Sequence, residues 1–171
     1  SGNTFEQEIP LNACGDTPLL LDGSDVPPVL ELNATGRSPF LLTCDHYGRL
    51  IPRMLGDLGL GESELARHIA CDLGIAGVAE TLSKQLGAHL VAQRYSRLVI
   101  DCNRPPHVAS SIPIISEATT IPGNEGLTRE SRAALRTPIF TPYHRHIDVI
   151  IRHPIQHGRP PGPAALTSLA H

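Results

Sequence analysis

The chain has no tryptophan and a single methionine, and its aromatic side chains make up 4% of 171 residues. Few aromatic faces, a net charge of −3 and dispersed Lys and Arg leave neither the stacking platforms nor the basic stripe of a nucleic-acid binder. No apolar run approaches the roughly 20 residues of a membrane-spanning helix. The first residues, Ser-Gly-Asn-Thr-Phe-Glu-Gln-Glu, have neither the charged nor the apolar region of a secretory signal. These absences predict a cytoplasmic protein with no nucleic acid and no membrane among its partners. The four cysteines, Cys14, Cys44, Cys71 and Cys102, form no C-x-x-C pair, which argues for reduced thiols rather than a zinc knuckle or a disulfide scaffold. A G-x-S-x-G elbow, a phosphate-binding P-loop and an H-E-x-x-H pair are also missing, which removes the commonest serine-hydrolase, nucleotide and metalloprotease chemistries.

What is present is a chain 40% hydrophobic and 18% charged, a globular composition with enough residues for one sizeable core. Residues 1–39 mix Asn, Gly, Asp and Pro with short apolar pieces, and Pro27-Pro28 permits only extended or turn backbone; this is an N-terminal arm or edge element. Phe40–Cys44 reads as a buried strand. From Glu62 to Leu86 apolar residues recur at helical intervals, with Ser63 as N-cap, Gly87 as C-cap and interruptions near Gly74 and Gly77. Ala88–Ala92 and Arg97–Asp101 read as strands, so the order of elements predicts an α/β layered domain over residues 40–153. Residues 107–127 form a long loop. Thr128 caps a helix through Leu135 that Pro138 and Pro142 break, and Thr141-Pro142 opens a closing helix with Tyr143, Ile147, Ile150 and Ile151 on its apolar stripe. Residues 154–171 hold prolines that deny them helix and central-strand conformations, and they are expected to form a poorly ordered tail.

The residues able to carry chemistry gather at the ends of these elements. His46 follows a strand, which holds an imidazole rigidly, and Gly48 then turns the chain and leaves room beside it. His68 and Asp72, four apart, share a helical face and either contact one metal ion or form an ordinary helix pair. Alternation turns Arg97 and Asp101 to one side as an ion pair, while Asn103 and Arg104 on the next loop can grip a carboxylate through the bidentate geometry of a guanidinium. His144 and His146, two apart, cannot share a helical face, so at most one of them enters a site.

Taken in order, Cys44-Asp-His-Tyr-Gly-Arg-Leu-Ile-Pro52, Arg67-His-Ile-Ala-Cys-Asp-Leu-Gly74, Tyr95-Ser-Arg-Leu-Val-Ile-Asp-Cys-Asn-Arg104, Ile121-Pro-Gly-Asn124 and Pro142-Tyr-His144 resemble the N-formylglutamate amidohydrolase family over about residues 38–152. The resemblance implies a three-layer α/β/α fold with a mixed sheet, similar to the zinc-dependent carboxypeptidases. It also implies metal-assisted hydrolysis of the formyl or another acyl amide of a small-molecule N-acyl amino acid, with zinc as cofactor. By the same resemblance His46, Asp72 and His144 are metal-site positions, and Arg97, Asn103 and Arg104 bind substrate. The family's later His-Ser-Phe-Thr-Pro and Glu-Ile-Arg-Gln-Asp segments are not found in the 171 residues, so the catalytic base is unassigned. The expectation is a C-terminally truncated or frame-disrupted member with an incomplete sheet, an open edge and a tendency to self-associate. The competing expectation, from another class, is a non-catalytic protein of this fold that binds a carboxylate ligand or a partner.

Overall fold

The fold, taken from a computed structural model, is described over residues 20–67, 69–72, 74–153 and 165–168. Its centre is a four-stranded mixed sheet. Strand β1 (Val29–Leu32), within the predicted edge element, runs antiparallel to β3 (His89–Gln93), with Leu30 opposite Ala92. Strand β2 (Phe40–Cys44) runs parallel to β3, with Leu42 opposite Leu90. Two further short strands, β4 (Ile115–Ser116) and β5 (Thr119–Thr120), form a separate hairpin, and β6 (Ala165–Ser168) pairs parallel with β2, giving the order β1-β3-β2-β6. The sheet therefore gains a strand from the segment expected to be barred from it. The prolines at 154, 160, 161 and 163 all precede β6, and the four residues Ala-Leu-Thr-Ser keep the backbone N–H groups that a ladder requires. The rest of that tail lies outside the described residues.

Alternation along the strands divides the core in two. Leu41, Val91 and Val29 face one side, where they join a cluster with Ile139, Tyr143, Ile147 and Ile150. Leu42, Cys44, Leu90 and Ala92 face the other and pack with Ala79, Ile75 and Leu82. Each fully buried Leu, Ile or Val among them contributes about 1.5–3 kcal/mol, and together the two clusters pin the sheet between helices on both faces.

The helices depart from the sequence reading in an informative way. The single helix expected from Glu62 to Leu86 is two: α1 (Glu62–Leu65) and α2 (Ile75–Leu86). Gly61, not Ser63, caps the first, and Gly74, at φ +81°, starts the second from a left-handed conformation that other residues resist. Gly77 stays inside α2, and Gly87 ends it as expected, with its N–H on the Lys84 and Ser83 carbonyls. Conversely, the break expected at Pro138 does not occur. Thr128 caps α3 (Arg129–Leu135) by accepting from the Ser131 N–H, and the chain continues through a wide π turn, Arg136–Phe140, directly into α4 (Thr141–Arg152). The wider turn absorbs the N–H that Pro138 lacks.

Arg97–Asp101 is not a strand. The Ser96 hydroxyl accepts from the Leu98 N–H at 3.1 Å while donating to the Ala70 carbonyl at 2.6 Å, and the Val99 N–H returns to the Ser96 carbonyl at 3.0 Å. That local bonding folds the segment into a buried turn instead of extending it into a ladder. No helix among the described residues is long and apolar enough to cross a membrane.

Candidate functional site

His46 sits just past the end of β2 and is 2% exposed. Its Nε2 lies 2.7 Å from Asp101 Oδ1 and its Nδ1 lies 3.2 Å from Asp72 Oδ2, so one imidazole is gripped between two carboxylates. Burial alone would lower the His46 pKa. The hydrogen bond and charge of Asp101, reinforced by those of Asp72, outweigh it and leave the pKa above its ordinary value. Burial likewise pushes Asp101 up, but its bonds to His46 and to the Asn103 N–H, with Arg104 nearby, hold it below the ordinary carboxylate value.

The expected Arg97–Asp101 ion pair does not form, because the turn at Ser96 sends the two side chains to opposite ends of the imidazole. Arg97 Nη1 donates to Asp72 Oδ1 at 2.8 Å, whereas Asp101 Oδ2 is met by Arg104 Nε at 3.3 Å. Asp72 itself lies between α1 and α2 rather than on a helix, with its N–H on the His46 carbonyl at 3.3 Å. The helix expected to carry both His68 and Asp72 is not formed at Asp72, and His68, its expected partner, lies outside the described residues. Arg104, with 56% of its side chain exposed, and the exposed Asn103 are the most solvent-accessible groups of this set, and Arg97 is partly buried. The Asn103 N–H donates to Asp101 Oδ1 at 2.9 Å, which fixes the loop start.

Gly48 is needed for contact rather than for space: a Cβ there would fall 1.9 Å from the Arg94 carbonyl oxygen. The Gly48 and Leu50 N–H groups bond to the Gln93 and Arg94 carbonyls at 2.9 and 3.2 Å, laying the loop after His46 against the end of β3. Asn124, buried, donates to the carbonyls of Leu98 and Pro113 at 2.7 and 2.8 Å, so the Ile121-Pro-Gly-Asn124 motif braces the turn that carries Arg97 and Asp101.

His144 Nε2 donates to the Cys102 carbonyl at 2.8 Å and its ring packs on Phe140 at 4.2 Å between centroids. Its neighbour Tyr143 donates to Asp45 Oδ1 at 2.7 Å, tying α4 to the residue before His46. Sequence reasoning missed both this buried pair and the His46–Asp101 contact. The adjacent Asp45-His46 and the fixed spacing of Asp101 from Asn103-Arg104 were the available signals, but neither reveals a partner about 100 or 55 residues away.

Among the described residues the donors around His46 do not by themselves complete a zinc site. Asp72 and Asp101 lie against opposite nitrogens of His46, and one ion can take only one of them. Among the described residues no group of three or more His, Cys, Asp or Glu side chains is arranged to hold a metal, whereas a catalytic zinc takes about three protein ligands. Cys44 and Cys102 are buried, and burial pushes both thiols up, Cys44 to about 12, which disfavours the thiolate a metal ligand requires.

Residues 38–162 match the family model described as N-formylglutamate amidohydrolase. An N-formylglutamate deformylase of Pseudomonas aeruginosa is 35% identical over 127 residues, which are 66% of this chain and 45% of that protein. A crystal structure of a gene product of Agrobacterium tumefaciens is similar at a TM-score of 0.81 and 36% identity, covering 88% of this chain and 58% of that one. The chain thus spans about half the length of these relatives.

Proposed function

We propose, from the premise that the chain belongs to the N-formylglutamate amidohydrolase family, that it serves hydrolysis of the amide of an N-formyl or N-acyl amino acid. The observation that carries this reading is the sharing of Asp101 between His46, at 2.7 Å, and the exposed Arg104, at 3.3 Å. Arg104, with Asn103 beside it, offers the substrate carboxylate a planar cationic fork. A ligand held there would have its acyl amide over the His46 end of the loop. Hydrolysis adds water across the amide and needs a group to take the water's proton and return it to the leaving amine. The coupled His46–Asp101 pair is the described group suited to hold that proton. Arg97 keeps Asp72 oriented from the far side. The carboxypeptidase-like architecture implied by the family resemblance is compatible with a mixed sheet covered by helices on both faces.

Metal activation is the part of the reading that the described residues do not supply. Among the described residues His46 with either aspartate would give zinc two donors. A second reading is favoured by the same geometry: with both ring nitrogens held by carboxylates, the pocket binds an acyl amino acid without turning it over. Calorimetric titration with N-formyl-L-glutamate, followed by measurement of formate release, separates the two. Binding with release supports the hydrolase, binding without release supports the second reading, and absence of binding rejects both.

A further inference from the structure

Three pairs of adjacent residues meet around His46: Asp45-His46 past β2, Asp101-Cys102 in the turn after β3, and Tyr143-His144 on α4. Each pair shares one hydrogen bond with each of the other two. His46 Nε2 lies 2.7 Å from Asp101 Oδ1, the Tyr143 hydroxyl donates to Asp45 Oδ1 at 2.7 Å, and His144 Nε2 donates to the Cys102 carbonyl at 2.8 Å. The contacts close into a ring, in which the two residues of α4 hold the outer neighbours of the two that meet at the centre. Consecutive helical residues point about 100° apart, so Tyr143 and His144 can address two segments at once. Tyr143 is fully buried, and Asp45, His46, Asp101 and Cys102 are at most 7% exposed. His144, half-buried, packs on Phe140 and meets Tyr143 edge-on, with centroids 4.2 and 5.3 Å away. Phe140 ends the π turn that carries the chain past Pro138, so that turn sets the phase with which α4 presents both side chains. Gln93, fully buried at the end of β3, lies 3.5 Å from both the Cys102 thiol and the Ile139 carbonyl and spans the space between the Asp101 turn and the start of α4. Burial and the charge of Asp45 raise the Tyr143 pKa well above 10, so the phenol stays a donor.

His46 and Asp101 are 55 residues apart, and both lie outside the strands whose ladders would fix their spacing. The missing constraint comes from the helix. We propose that Tyr143 and His144 are positioning residues that set the spacing of the His46–Asp101 pair, acting through Asp45 and Cys102. The same helix buries Ile147 and Ile150 in the core, so its packing and the geometry of the pair are joined. The part the pair plays in hydrolysis rests on the acyl amino acid reading above; the ring of contacts does not.

NMR of the full chain carrying isotope-labelled histidine tests this. Asp101, held as a carboxylate, only accepts, so His46 Nε2 carries the proton between them. Its signal should be displaced downfield, slow to exchange with water and absent from His46→Gln. Tyr143→Phe keeps the ring and its packing but loses a bond to a carboxylate, and should speed that exchange by about 10-fold or more. His144→Leu should speed it by about 2-fold to 10-fold, and His144→Gln, which supplies a side-chain N–H at similar reach, should return it to within about twofold of the unmodified chain. Ile150→Val, which trims the buried face of the same helix without removing a hydrogen bond, should lower stability to urea and leave the signal in place. In a chain that releases formate from N-formyl-L-glutamate, Tyr143→Phe should lower kcat by about 10-fold with KM within about twofold. Should Tyr143→Phe fail to fold, the two His144 variants decide the question. An exchange rate that Tyr143→Phe and His144→Leu leave unchanged, or that Ile150→Val raises as much as they do, overturns the positioning role. Absence of formate release from the unmodified chain rejects the hydrolase reading, and the exchange measurement still decides the ring.

Discussion

Asp101 Oδ1 lies 2.7 Å from His46 Nε2, joining a turn after β3 to the loop after β2 across 55 residues of chain. The contact is buried, with side chains 3% and 11% exposed, so each partner relies on the other for compensation of its polarity.

Asp101→Asn keeps an acceptor but removes the charge. It should lower the His46 pKa, read by NMR titration of the imidazole, and cost about 2 kcal/mol in urea unfolding. The sign of the pH dependence follows from both shifts. His46, raised above 6.5, contributes stability that is present below pH 6.5 and lost as pH rises through its folded value; Asp101, lowered from 3.8, contributes stability present above 3.8 and lost as pH falls through its folded value. Stability from the pair is therefore greatest between those two ordinary values, and the variant should flatten the profile at both ends.

Arg104→Lys should weaken binding of N-formyl-L-glutamate by about 10-fold, because an ammonium replaces a planar fork. The thermal midpoint should stay unchanged, since the side chain is 56% exposed. Equal affinity for the ligand and its α-amide in the unmodified chain would remove Arg104 from this role.

Much of the sheet was legible because β2 and β3 are buried on both faces and read as continuous apolar runs, and Gly87 and Thr128 are strong helix-end signals. Arg97–Asp101 misled because Leu-Val-Ile has the composition of a strand, whereas the Ser96 hydroxyl, whose bond to Ala70 depends on tertiary contact, bends it into a turn. For the site, His46, Asp72 and Arg104 could be singled out from local pattern. Which carboxylate meets which nitrogen could not, because the pairing follows from how that turn and the α1–α2 connection close on His46. Pro138 illustrates a different limit: local rules predict a break, and a π turn between packed helices accommodates it.

Gly48→Ala places a methyl group against the backbone of Arg94, which cannot swing aside as a side chain would. The substitution should destabilise the chain by about 2–4 kcal/mol in urea unfolding. It should also loosen the loop holding His46, seen as faster amide exchange at Gly48 and Leu50. Unchanged stability would mean that the β3 end can retreat without cost.

The three tyrosines should resist ionisation together. Burial, with Glu80 beside it, pushes Tyr47 up to about 12; burial also raises Tyr95, and burial with Asp45 raises Tyr143 well above 10. Absorbance titration of the native chain should show clearly less tyrosinate at pH 10 than the urea-unfolded chain, which is about half ionised there. Since the folded state holds these protons more tightly, stability should fall as pH rises above 10. Half ionisation of a native tyrosine at pH 10 would contradict the burial of that residue.

Metal dependence gives the sharpest test of the His46 geometry. Zinc needs a lone pair on one imidazole nitrogen, and in this fold each nitrogen faces a carboxylate, at 2.7 and 3.2 Å. For an ion to enter, one of these contacts must open, and the departing aspartate must either turn to the metal or lose its partner. Of the described residues the ion would then have His46 and one aspartate, a pair of donors from which zinc is readily removed. A metal held at 100 times its dissociation constant would add about 2.7 kcal/mol to stability. Dialysis of the 171-residue chain against a strong chelator should therefore leave the thermal midpoint unchanged, and elemental analysis should find zinc well below one ion per chain. If chelation lowers the midpoint by several degrees and added zinc restores it, and His46→Ala abolishes that response, His46 has exchanged an aspartate for a metal.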